Sequence, residues 1–282
     1  MLLQGAGLGR IKPNVMLMGF KKDWRSDSCL AANNYIEILH DAFDLQYGVC
    51  VLRMREGLEV SNPSQSHASV TVELEPQPTT AFQKKQGKKT IDVYWLSDDG
   101  GLTLLLPYLL TRRKRWARCK VRVFVGGETD KKEEQKEEVL SLIKRFRLGF
   151  QDVEVLTDIY QNPQPVNVHH FESMIRRFKQ DPNPKQDSDS HPAGQQEAPW
   201  MITHQDLERN MAKSLRQIRL NEVLQDYSRD AALIVITMPV GRRGVCPSSL
   251  YLAWLDVLSR DLRTPVLMVR GNQESVLTFY CQ

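Results

Sequence analysis

The chain predicts an α/β fold: a doubly wound, mostly parallel sheet interrupted by two flexible insertions. Three observations carry this. Short apolar runs without helical period recur along the 282 residues. Stretches with apolar residues at i, i+3 and i+4 separate most of them, the alternation that builds parallel sheets. Two polar stretches rich in Ser, Pro, Gln and Lys break the alternation, and such composition cannot bury enough apolar surface to order itself.

Taken in order, "NVMLMGF" (Asn14–Phe20) reads as a buried strand. "NNYIEILHDAFD" follows as a helix, with Tyr35, Ile36, Leu39, Ala42 and Phe43 on one side and Asn33 or Asn34 as its cap. "YGVCVLRM" (Tyr47–Met54) closes a β-α-β unit, whose right-handed crossover makes its strands parallel. Residues 56–90 form the first insertion.

"IDVYWLS" (Ile91–Ser97) is a strand rich in β-branched and aromatic residues. "DDGG" (Asp98–Gly101) is a turn, its aspartates caps for the next helix and its glycines free to take turn conformations. "LTLLLPYLLTRR" is that helix, with a kink or late start expected at Pro107. "CKVRVFVGG" (Cys119–Gly127) is a strand. "KKEEQKEEVLSLIKRFR" is a helix with its apolar stripe on Val139, Leu142, Ile143 and Phe146; its acids come early and its bases late, as the helix dipole favours. "DVEVLTDI" (Asp152–Ile159) is a strand and "HHFESMIRRF" a short helix.

Residues 181–199 form the second insertion. "THQDLERNMAKSLRQIRLNEVLQDYS" is a long helix with a capping box from Thr203 and Asp206. Its apolar side is expected on Leu207, Met211, Leu215, Ile218 and Val223. Strand "AALIVITM", helix "SSLYLAWLDVLSRDL" and strand "PVLMVRG" complete the pattern. The resulting organisation is a first β-α-β part (1–55), an insertion (56–90), a central α/β part (91–180), a linker (181–199) and a C-terminal α/β half (200–282).

Composition excludes several functions. A formal charge of +4 does not demand nucleic acid, and no DNA or RNA motif accompanies the basic residues. The 5 cysteines are widely spaced without CxxC, which suits small apolar residues in a reducing compartment. The histidines show no metal-binding pattern, so no metal is expected. The longest apolar runs fall well short of the roughly 20 residues that a spanning helix needs. No nucleophile–base pair stands out, so no catalytic residue is assigned and the chain is read as no enzyme.

Three motifs could bind ligands. Gly5, Gly7 and Gly9 give GxGxG, but they precede a strand instead of opening a helix, so this is no dinucleotide fingerprint. Lys12 follows and is free to reach a phosphate. "TRRKRWARCKVR" holds Arg112, Arg113, Lys114, Arg115 and Arg118. It is either a solvated helix end or a patch for acidic lipid headgroups or an acidic partner. "TMPVGRRGVCPSS" lies between a strand and a helix, with Gly241, Gly244 and Ser248 where a phosphate could sit. It lacks the Lys-Ser/Thr of a P-loop, and its closing pattern resembles that of universal stress proteins that hold ATP.

The blocks "AGLGRIKPNVMLMGFKKDW", "IDVYWLSDDGGLTLLLPYLL", "CKVRVFVGG", "SLRQIRLNEVL", "PSSLYLAWLDVLSRDL" and "RGNQESVLTFYCQ" resemble the cytoplasmic carboxy-terminal domain of the cation–chloride cotransporters. The ending "VLTFYCQ" is most similar to the thiazide-sensitive sodium–chloride branch. The resemblance implies two universal-stress-protein-like halves. It implies a regulatory domain that dimerises and couples to a transmembrane transport domain at the cytoplasmic face of the plasma membrane. It also implies ATP near the segments matching "GLGRIKPN" and "GFKKDW", with Gly9 in the loop and Lys12 and Lys22 on the phosphate side. "MLLQGAGLGR" looks like the end of a longer helix, so Met1 is not expected to be the parent's start. The alternative from a different class is a stand-alone nucleotide sensor of the stress-protein type.

Overall fold

The computed structural model describes residues 12–55, 82, 84–180, 198–272 and 274–277. Most of both expected insertions, the loop with Gly9, and the end of the tail with Cys281 lie outside the described residues.

Seven strands form one sheet: β1 (Val15–Gly19), β2 (Gly48–Arg53), β3 (Thr90–Tyr94), β4 (Lys120–Gly126), β5 (Asp152–Leu156), β6 (Leu233–Thr237) and β7 (Val266–Arg270). Their order is β1-β2-β7-β6-β3-β4-β5, and every neighbouring pair is parallel except β2–β7. The expected β-α-β unit is present at one edge, with α1 (Cys29–Asp44) as its crossover. The other five strands make a parallel unit with α2 (Leu102–Thr111), α3 (Lys132–Arg145), α4 (Pro165–Ile175), α5 (His204–Tyr227) and α6 (Ser248–Ser259). Among the described residues the two parts are therefore unequal, and the antiparallel β2–β7 pair joins them.

Strand alternation sends side chains to two cores. Ile91 and Val93 face the core under α2 and α3, while Tyr94 and Phe124 face the core under α1, α4, α5 and α6. Asp92 points to the second side and is fully buried. Arg122 answers it with two hydrogen bonds, of 2.9 and 2.6 Å, and donates a third to the Tyr227 carbonyl. Ser228 donates to the same carboxylate.

A second buried carboxylate fastens the two parts. Asp256 on α6 accepts from the Trp24 indole at 2.9 Å and from Arg53 on β2 at 2.7 Å. Trp24 is completely buried and stacks on Phe178.

Helix starts follow local chemistry, with two departures from expectation. Ser28 caps α1 by accepting from the Ala31 N–H. Asn33 is not the cap: it is buried within the helix, where its side-chain oxygen accepts from Ser248 on α6. Thr203 and Asp206 form the expected capping box. The first half of α5, however, turns Asn210, Ser214 and Gln217 inward, and Met211 stays 48 % exposed. The reason is Trp254: its buried indole needs an acceptor, and Ser214 supplies one at 2.9 Å. Pro107 sits inside α2 without delaying its start at Leu102.

Burial pushes the Cys50 and Cys246 thiols up to about 12 and raises Cys119 as well. Cys29 is only half-buried. With a maleimide at pH 8, Cys29 should label first among the four described thiols. Cys50 and Cys246, buried and with little thiolate at that pH, should label only on unfolding. Peptide mass spectrometry reads the order, and early labelling of Cys246 would contradict it.

Candidate functional site at the carboxyl edge of the sheet

In open α/β sheets a ligand crevice lies outside the strand carboxyl ends, where the strand order reverses. Here that point falls between β3 and β6. The loops leaving them are "DDGG" and "MPVGRRG", as their positions after strands require.

The first loop is spent on structure. Asp99 is buried; its carboxylate accepts from the Gly101 and Thr103 amides and the Thr103 hydroxyl. Burial pushes its carboxyl up, and these donors oppose that shift. Gly100 and Gly101 adopt left-handed φ of 73° and 87°. Residues 274–277 lie against this turn: the Val276 N–H donates to the Gly100 carbonyl at 2.8 Å, and Leu277 is buried.

The second loop is built around α1. Its Gly241 is buried, and its carbonyl accepts from His40 Nε2 at 2.8 Å. His40 Nδ1 is buried without a hydrogen-bond partner, with Glu37 3.5 Å away. Arg243 is held by Glu37, Asp41 and Asp44 at 3.2, 2.8 and 3.6 Å, and its bond to Asp41 raises the guanidinium above its ordinary value. Gly244 takes φ 71° with open space around it. Ser248, at the start of α6, donates its hydroxyl to Asn33 and its amide to the Pro199 carbonyl.

The structure brings Gly244 and Ser248 together around a 270 Å³ hollow that His40 and Cys246 also line, whereas Gly241 lines a neighbouring 500 Å³ hollow with Arg242 and Arg270. Lys12 precedes β1, and the pairing of Val15 with Gly48 and of Val49 with Arg270 places it at this same edge. Lys22 follows β1 and lies at the opposite edge, where its ammonium donates to the Arg55 carbonyl at 2.7 Å. The five residues of β1 separate the two lysines by about 16 Å, so they do not converge. Gly9 lies outside the described residues. Arg112, Arg113, Lys114, Arg115 and Arg118 are exposed on the turns after α2, also at the edge away from the loops. Arg112 lies over the Tyr108 ring at 4.6 Å, and Trp116 is turned inward against Phe82.

Sequence reading missed Lys213, Arg216, Gln217 and Leu220. They face a 210 Å³ hollow directly at the switch point, together with Ser97, Trp254 and Arg270. Their spacing at i, i+3, i+4 and i+7 was the available signal, since it puts them on one face of a helix. The apolar positions of α5 masked it.

Comparison with known proteins places the chain. The family model described as solute carrier family 12 matches residues 1–79 and 64–281. Solute carrier family 12 member 3 from Pseudopleuronectes americanus is 72 % identical over 309 residues, covering 100 % of this chain and 30 % of the relative. The Homo sapiens member 3 is 53 % identical over 299 residues, covering 100 % of this chain and 29 % of the relative. Homo sapiens member 2 is 40 % identical over 344 residues, covering 99 % and 28 %. The chain thus spans under a third of the length of these relatives, and no helix among its described residues is long and apolar enough to cross a membrane. With the family model and the relatives spanning essentially its whole length, the chain belongs to solute carrier family 12.

Proposed function

We propose that the chain is the regulatory, dimerising cytoplasmic domain of a sodium–chloride symporter. In the parent protein it is joined to a membrane transport domain and lies at the inner face of the plasma membrane. The observation that carries this is the 72 % identity to a solute carrier family 12 member 3 across the whole chain, against 30 % coverage of that relative. Its task is mechanical: it holds two protomers together and relays their arrangement to the transport domain, with no catalytic residue.

Two surface features support the reading. Leu17, Leu30 and Ile38, all in the first β-α-β unit, keep apolar side chains 45–64 % exposed, as a contact between copies would use. The cations from Arg112 to Arg118 find no carboxylate within ion-pair distance among the described residues, which leaves them for anionic headgroups. Lys22 lies at the same edge.

Light scattering at micromolar concentration should return twice the 32.4 kDa mass of the chain. Leu17→Asp with Ile38→Asp should halve that mass without loss of helix content. A strict monomer, both for this chain and for the detergent-solubilised parent, would overturn the proposal.

A further inference from the structure

We infer that the hollow at the switch point between β3 and β6 is a binding site for a compact organic phosphate monoester. This goes beyond the domain reading above and does not rest on it.

The charge balance is the first ground. Lys213, Arg216 and Arg270 surround the hollow, and no Asp or Glu lines it. Among the described residues none of the three has a carboxylate within ion-pair distance. Arg219, one turn along the same helix, shows the ordinary alternative: it is paired with Asp158 and Glu222 at 3.0 and 2.9 Å. Lys213 instead lies 5.9 Å from the centre of the Trp254 ring, and Arg270 donates to the Ser97 hydroxyl at 3.2 Å. Three like charges converging without a counter-charge repel one another, and a dianion relieves that repulsion.

Gln217 is the second, independent ground. It is only 6 % exposed, it lines the hollow, and its amide makes no hydrogen bond among the described residues. Its amide therefore opens into the hollow with its donors and acceptor uncommitted, where a ligand oxygen can take them up.

Shape and lining set the ligand class. Leu220 and Trp254 close an apolar base, while the cations stand at the rim. The volume of 210 Å³ admits a phosphoryl group with one small ring. A bare phosphate would leave the base unfilled, and a neutral ring would leave the cations unmatched. Charge-assisted bonds from guanidinium to phosphoryl oxygens supply the specificity.

Calorimetric titration of the 282-residue chain tests this with phenyl phosphate, inorganic phosphate and phenol. Phenyl phosphate should bind saturably, inorganic phosphate more weakly, and phenol not at all. Arg216→Gln and Lys213→Gln should each weaken phenyl phosphate by about tenfold with unchanged thermal midpoints. Arg112→Gln, in the distant basic cluster, should leave it unaltered. The inference is overturned if folded protein shows no saturation with phenyl phosphate, or if phenol binds as well. It is overturned equally if Arg112→Gln weakens binding as much as Arg216→Gln, since that would be attraction to net charge. A monomer in light scattering, by contrast, bears only on the domain proposal.

Discussion

Replacing Arg122 with Met should lower unfolding stability by about 3–5 kcal/mol, because it strands a charge in the core. Asp92 has no exposed surface, and Arg122 supplies two of its three hydrogen bonds. Ser228 alone cannot compensate a carboxylate cut off from water. Arg122 itself keeps 28 % of its side chain exposed, so the converse change, Asp92→Leu, leaves a cation that can still reach solvent and should cost less. The double variant should recover part of the loss, since an apolar pair of similar volume avoids both desolvation costs. Urea denaturation of the three variants reads these differences. A deficit below about 1 kcal/mol for Arg122→Met would mean that the carboxylate finds other donors.

Gly100→Ala should cost about 2–4 kcal/mol through two separable causes. At φ 73° any side chain is strained, and its added carbon would stand 2.0 Å from the Glu274 carbonyl oxygen. Residues 274–277 must then leave the turn, breaking the Val276 bond and exposing Leu277. Gly149→Ala provides the comparison: φ there is 74°, with nothing within 4 Å of the added carbon, so only the backbone term of about 1–2 kcal/mol remains. The difference between the two variants measures the contact. Faster amide exchange at Val276 in Gly100→Ala alone would locate it, and equal costs would show that residues 274–277 contribute nothing there.

Much of this fold is legible in the residues because its determinants are local. The runs at 48–52 and 231–236 are apolar throughout, as strands covered on both faces must be. The Thr203–Asp206 box and the caps from Asp99 are decided within four residues. What stayed hidden depends on partners far along the chain. Nothing near Asn33 announces that Ser248 will meet it, so its place in the pattern reads as a cap. Nothing near Met211 announces the indole of Trp254, which claims the inner face of α5 for a serine. The site divides the same way. The glycine loop was visible from its punctuation, but the fate of its arginines was not: three acids of α1 hold Arg243, and only the folded register brings them there. The cations at the switch point come from α5 and the end of β7, and no short motif could have joined them.

The antiparallel seam between β2 and β7 has a consequence for biosynthesis. Trp24 and Asp256, which flank that seam, are 232 positions apart. At about 5–20 residues per second, a ribosome needs on the order of tens of seconds to deliver the second after the first. Throughout that interval the nascent β-α-β segment carries an open strand border and an indole without its Asp256 acceptor, and such an edge is a template for pairing with other chains until it is covered. A chain stopped before Val266 would leave that border open for good, and degradation of the truncated polypeptide, more than loss of one strand, is the expected outcome.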